Sequence, residues 1–216
     1  MIPNFIRFRT LRHTRAISAT LFVVLVGLTF SASASQRKAA PPFAKEFIQV
    51  GDTVLAAKAD AQLADGVSGA VLVIRHPIVA DRSKNPCDLV VLAKSSEALR
   101  TSASNSNVVD CRYNELARNA TEMGLDENLS VEPGKISFYN ELSKGGASYT
   151  FSYDSKKAAW HLSQADSTSV QQGSSGEIEV YKASLTFPAT LPWVPLNQFD
   201  PKSLRQLIEK HRKPIQ

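Results

Sequence analysis

Histidine and cysteine are scarce in this chain, which has four and two of them in 216 residues. Beyond the first 34 residues the histidines are His76, His161 and His211, isolated from one another and from Cys87 and Cys111, so no zinc-binding spacing exists. A Gly-x-Ser-x-Gly elbow, a phosphate-binding loop and a dinucleotide fingerprint are also missing. These absences remove the enzyme classes that carry a local signature, and the sequence is read as non-enzymatic, with no catalytic, cofactor-binding or metal-binding residue assigned. Serine is abundant, so a Ser-His-Asp set can always be assembled on paper from His161 with Asp154 or Asp166. A hydrolase using His161 is the alternative that this freedom leaves open.

Long hydrophobic runs are lacking as well. The apolar stretch from Ala16 to Phe30 is interrupted by Ser18, Thr20 and Thr29, and at about 15 residues it falls short of the roughly 18 to 20 needed to span a bilayer. Arg7, Arg9, Arg12 and Arg15 precede it and Ala32-Ser33-Ala34 follows it. That order reads as a signal peptide over residues 1–34 with a small-residue cleavage site, the competing reading being a retained anchor. No cysteine follows the small residues, which argues against a lipid-modified start. The expected location is the periplasm or the exterior, with no embedding in the membrane after cleavage.

Charge of one sign is scarce too, once that leader is set aside. The whole chain carries net +5, but the leader holds four arginines and no acid, leaving 21 basic against 20 acidic residues. A nucleic-acid partner, which needs a basic face, loses its main support. The remainder suits one domain with a real core. Cys87 and Cys111 would travel an oxidising route, where they are expected to pair with each other; such a loop stabilises by about 3 kcal/mol in the chain-entropy model. The other reading is two separate thiols, though nothing in the surrounding sequence provides the cationic setting of a reactive one.

What is present is β structure. Residues 35–42, SQRKAAPP, form a disordered or extended leader, and Pro42 can open a short helix with Phe43, Phe47 and Ile48 on one side. Thr53 to Ala57 reads as a brief strand, followed by a small-residue loop with an Asp65-Gly66 turn. Ala70 to Ile74, AVLVI, is apolar on consecutive positions, so it should be central and covered on both faces. Asp88 to Lys94 repeats that pattern, and Glu97 to Ala103 returns as a hairpin arm. The segment 112–133 is weakly patterned: a short helix plus loop, or an irregular excursion that could carry a binding surface.

Lys135 to Leu142, Ala147 to Tyr153 and Ala159 to Gln164 read as strands, with Tyr149, Phe151 and Tyr153 on one face and small hydroxyl residues on the other. Ser167 to Gly176 reads as a flexible polar connection. Glu177 to Phe187 reads as a last strand, with a bulge near Tyr181 to reconcile Ile178 and Val180 with Ala183, Leu185 and Phe187. Asp200 as N-cap and Pro201 as first residue open a terminal helix with Leu204, Leu207, Ile208 and His211 on one stripe, closed by Pro214.

The stretches GDTVLAAKADAQLADGVSGAVLVI, LVVLAKSSEALRTSASNSNVVDC and GKISFYNELSKGGASYTFSYDSKKAAWHL together resemble small secreted bacterial proteins with a degenerate FG-GAP or VCBS-type unit, the repeat of integrin-like propellers. The resemblance implies a calcium loop of the form Asp-x-Asn-x-Asp-Gly-x-x-Asp before the AVLV strand. The matching positions here are Ala61, Leu63, Asp65, Gly66 and Gly69, so only Asp65-Gly66 is kept and the loop is read as a metal-free turn. One unit cannot close a propeller.

The fold expected is therefore mainly β with minor α: a single antiparallel sheet or compact β domain over residues 43–213, with a short helix at each end. The function expected is non-catalytic binding of a protein partner in the cell envelope, for example as an inhibitor or immunity protein against an envelope-acting toxin. An envelope glycan-binding module is a further alternative, because Tyr139, Tyr149, Tyr153, Trp160 and Trp193 could offer flat rings, although their spacing also suits a core. Trp193, Tyr139 and Tyr113 are the candidate contact residues.

Overall fold

Alternating and continuous apolar patterns sort the strands of this chain into two antiparallel sheets. The computed structural model describes residues 38–77, 86–96, 98–112, 121–173 and 175–215; the expected signal peptide and residues 35–37 lie outside this set. The first sheet has the order β1 (Thr53–Ala64), β2 (Val67–Arg75), β3 (Cys87–Ser95), β4 (Ala98–Asn105). The second has the order β10 (Lys213–Pro214), β9 (Ile178–Thr186), β8 (Ala159–Gln172), β7 (Gly145–Asp154), β6 (Lys135–Leu142), β5 (Leu129–Glu132). The strands thus do not form the single sheet that the sequence allows for. Two sheets let each bury an inward face, and a core including Leu55, Val73, Leu89, Phe138, Phe151 and Leu162 is shared between them.

The continuous apolar runs of β2 and β3 follow from a second, separate core on the outer face of the first sheet. Ala70, Leu72, Ile74, Val90 and Leu92 point there and are covered by Phe43, Ala44, Phe47 and Ile48. The covering segment is a single 3-10 turn, Pro42–Glu46, where the sequence suggests a short helix with one apolar side. It is held from upstream: Lys38 pairs with Asp126, and the Ala40 N–H donates to Glu122 Oε1 at 3.0 Å.

The stretch read as a loop before AVLVI is in fact strand. β1 continues to Ala64, and a two-residue turn at Asp65-Gly66 returns the chain, with Gly66 at φ +71°. Its small polar residues suggest a loop by composition, but Leu63 is buried and the strand absorbs its irregularity in register shifts around Lys58 to Ala61, where Asp60 takes φ +48°. Gly69 is required by packing, because a Cβ there would run into the Leu92 carbonyl.

In the second sheet β6 has the boundaries expected of it, and Tyr149 and Phe151 face the core. β8 continues to Gln172 through the expected flexible connection, since its hydroxyl-bearing residues 167–169 and Val170 pair without a break with β9. The bulge expected near Tyr181 is absent; the register is unbroken from Gln164↔Thr186 to Gln172↔Ile178, and the irregularity lies instead between Gln164 and Leu162. No bulge is needed, because Ile178 stays outside at 72% exposure while Tyr181 lies under the Arg212 guanidinium at 4.1 Å. β5 and the 3-10 turn Asp126–Asn128 give regular structure to part of the 112–133 segment. Pro214 does not merely end the terminal helix but pairs with Tyr181 in β10.

The C-terminus folds as a 3-10 helix, Pro201–Leu204, capped by Asp200 and continued by α1 (Arg205–His211). Among the described residues no helix is long and apolar enough to cross a membrane.

Two buried asparagines join the sheets at one end. Asn105 Nδ2 donates to the carbonyls of Leu196 (2.7 Å) and Phe199 (2.9 Å), and its Oδ1 accepts from the N–H groups of Asn107 (2.6 Å) and Val108 (3.0 Å). Asn140 Oδ1 accepts from the Asp110 N–H at 2.7 Å and its Nδ2 donates to the Val108 carbonyl at 2.8 Å. Asn105→Ala strands two carbonyls and two N–H groups at once, so urea denaturation should show a loss of about 2–3 kcal/mol. A loss no larger than that of an ordinary surface substitution would show that these groups find other partners.

Candidate functional site

At the end joined by these asparagines, a cleft of about 430 Å3 opens between three elements. The loop after β4 brings Asn107, Asp110 and Arg112; the inward faces of β6 and β7 bring Asn140, Leu142 and Tyr149; the capped 3-10 helix brings Asp200, Pro201 and Lys202. Each aspartate is fixed by the backbone two residues ahead: Asp110 Oδ1 accepts from the Arg112 N–H at 3.2 Å, and Asp200 Oδ1 from the Lys202 N–H at 2.9 Å. Short polar side chains favour this local closure, which at Asp200 also caps the helix.

Tyr149 is 7% exposed, and its ring packs edge-on against Phe199 with centroids 4.9 Å apart. Burial, followed by the charges of Asp110 and Asp200, pushes the phenol up to about 12. It is therefore a protonated donor at any physiological pH. Tyr149→Phe keeps the ring and its contact with Phe199, so it should change stability by no more than about 1 kcal/mol. A larger loss in urea denaturation would show that the hydroxyl itself holds the fold.

The residues expected to make contacts are not brought together here. Tyr139 is 43% exposed and belongs to the opposite, outer face of β6. Trp193 is half-buried: it stacks on His161 at 4.2 Å and 16°, meets Phe187 edge-on at 5.8 Å, and has Lys157 Nζ 3.5 Å from its ring centroid. Tyr113 lies outside the described residues. Cys87 and Cys111 are joined as a disulfide, with Cα atoms 5.7 Å apart.

The two histidines on the sheets have opposite environments. His161 is buried against Phe187 and Trp193, and its Nδ1 meets no hydrogen-bond partner. Burial lowers its pKa, outweighing the nearby Asp154 charge and the Ser152 backbone. His76 closes the end of β2 between two carboxylates, Nδ1 at 2.9 Å from Asp52 and Nε2 at 3.1 Å from Asp88. Burial opposes its charge, but the bonds to Asp52 and Asp88 prevail and its pKa is raised.

Linkage fixes the signs. The raised His76 contributes stability in full below the unfolded value of 6.5 and loses it as pH rises through the folded value. The lowered His161 contributes in full above 6.5 and loses it as pH falls through the folded value. Urea midpoints measured between about pH 5 and about pH 8 should separate the two effects: the deficit of His76→Gln is greatest at the acid end, while His161→Phe removes part of the acid-side loss. A deficit of His76→Gln that does not shrink toward the alkaline end would contradict the clamp.

No protein-family model, curated protein or solved structure matches this chain. The cleft itself was not visible in the sequence. Asp200 is legible as a helix cap and Tyr149 as one ring of an alternating strand, but nothing in their spacing announces that Asp110, ninety residues before Asp200, lines the same cleft.

Proposed function

We propose that this chain is a non-catalytic binding protein of the periplasm or exterior that engages a protein of the cell envelope, for example as an inhibitor of an envelope-acting toxin. The observation that carries the reading is the cleft. It gathers Asp110 and Asp200, each with a backbone N–H on its carboxylate, the phenol of Tyr149, and exposed Arg112 and Lys202 at one end of the two-sheet domain. A concave site with a few convergent polar groups is the default place for a partner to bind. The disulfide between Cys87 and Cys111 and the leader-like first 34 residues support a location outside the cytoplasm.

The test is affinity capture from envelope extracts with the oxidised chain beginning at Ser35, followed by identification of the captured protein and titration with that protein in purified form. Saturable one-to-one binding is expected. Capture of no protein that rebinds after purification overturns the proposal.

A further inference from the structure

We propose that the outer face of β9 and β10 is a docking surface for an anionic lipid membrane. The strand register brings its members together. Lys182, Val180 and Ile178 alternate with the buried Ala183 and with Tyr181, so they share the face turned away from the core. Lys213 stands directly opposite Lys182, and the Ile215 N–H donates to the Val180 carbonyl at 2.8 Å, which sets Lys213 and Ile215 on that same face. Val170 of β8 pairs with Val180 and widens the patch. Ile178 and Ile215 are 72% and 57% exposed; among the described residues only Val50 is a large apolar side chain more open to solvent. Single exposed apolar side chains are ordinary, but two isoleucines joined through two half-buried valines make a contiguous patch.

The charges around the patch give the sign of what covers it. Like charges directly opposite across a ladder are destabilising, and Lys182 and Lys213 are such a pair. Lys144 is exposed at the adjoining turn, where its carbonyl accepts from the Val170 N–H at 2.8 Å. Among the described residues none of these three lysines forms an ion pair. Of the acids at this edge, Glu179 lies on the inward face and accepts from the Tyr181 hydroxyl at 2.7 Å, and Asp166 accepts from Gln164 Nε2 at 2.6 Å. Glu177, beside Ile178, accepts from the Ser175 hydroxyl and is the acid that an anionic surface meets. A peptide strand or a second copy cannot extend the sheet here. Ile215 turns its N–H to β9, so the backbone facing outward is that of Pro214, which has no N–H to give, and two copies meeting at this edge would also bring their lysines together. A bilayer surface needs neither a pocket nor a ladder. Anionic headgroups pair with the lysines, an attraction of about fivefold in affinity for each one. Aliphatic side chains that stand clear of the sheet enter the boundary between headgroups and acyl chains without a matched surface.

The oxidised chain beginning at Ser35 is sedimented with vesicles of phosphatidylglycerol and phosphatidylcholine in equal parts, and with vesicles of phosphatidylcholine alone. Saturable binding to the anionic vesicles is expected, weakened by raising salt from about 50 to about 500 mM and absent with phosphatidylcholine. Lys182→Gln/Lys213→Gln and Ile178→Ser/Ile215→Ser should each lower the partition coefficient by at least about tenfold. All four side chains are exposed, so neither variant should lower the urea midpoint. Glu177→Gln should raise partitioning. Spin-labelled lipid in bicelles of the anionic composition should broaden the amide signals of Ile178, Val180 and Ile215 before those of Phe47 and Ile48, which pack on the outer face of the other sheet. No sedimentation with anionic vesicles, equal binding to phosphatidylcholine alone, or full binding by either double variant overturns the inference. So does a polyglutamate peptide that shifts the Lys182 and Lys213 amides where vesicles leave them unmoved, since the face then belongs to an acidic polypeptide. None of these outcomes touches the reading of the cleft, which lies on the inward side of the sheet and is tested by titration with a purified protein.

Discussion

Replacing Phe199 by alanine is expected to cost about 3–5 kcal/mol in urea denaturation, among the largest effects available to a single side chain in this protein. Phe199 is fully buried and lies edge-on to Tyr149 at 4.9 Å and to Phe151 at 5.4 Å, so truncation leaves two large rings without their contact. Its carbonyl also accepts from Asn105 Nδ2 at 2.9 Å, and the next residue is the capping Asp200. The cavity would therefore form directly behind the cleft. Loss of stability should be accompanied by shifted amides at Asp110 and Lys202. Phe199→Leu keeps most of the volume and should cost well under half as much. A loss under about 1 kcal/mol for the alanine variant would mean that the surroundings collapse into the space, and that the ring does not support the cleft.

Much of this fold can be read from the order of residues, and the places where it cannot have physical causes. AVLVI announces a doubly covered strand because both of its faces meet apolar neighbours, and β2 does lie inside its sheet. Alternation over Lys135 to Leu142 is equally decisive, since one face is buried and the other wet. The errors fall where composition and pairing disagree. Residues 59–64 and 167–172 are mostly small or polar, which resembles loop by composition, but each segment lies beside a strand that supplies the hydrogen-bond ladder. Likewise a bulge near Tyr181 is the economical answer if every apolar residue of β9 must be buried, and Ile178 is not.

The candidate site was less legible for a different reason. Its members have local roles that explain them completely: Asp200 caps a helix, Asn105 and Asn140 satisfy loop backbone, Tyr149 alternates along a strand. Exposed aromatics drew attention instead, yet Trp193 is engaged by His161 and Lys157, and Tyr139 stands on the outer face of the sheet. Two buried asparagines on strand positions are the available signal. Asparagine is unfavourable in strands and costly to bury, so an inward position that holds it marks a place where loop backbone must be satisfied.

Removing the disulfide by Cys87→Ala together with Cys111→Ala is expected to lower stability by about 3 kcal/mol, within a usual range of about 2–5 kcal/mol for a native crosslink. The bond closes a separation of 24 residues, from the first residue of β3 to the end of the loop that carries Asp110. Its effect should therefore be uneven. β2 and β3 are held by a continuous ladder and a doubly covered core, whereas the loop past Val109 lies outside any strand ladder and is anchored at Asn140 and at this crosslink. The variant should lose protection of the Asp110 and Arg112 amides in hydrogen exchange before it loses that of Leu72 or Val91, because local opening is drawn from the least supported backbone. Both sulfurs are buried, so a reductant should act on the folded chain only as fast as that loop opens. If the double variant matches the native chain in urea midpoint and in exchange at Asp110, the crosslink neither stabilises the fold nor holds the cleft. If it shows both losses, the charge arrangement at the cleft depends on passage through an oxidising compartment, which ties the site to the location proposed for the protein.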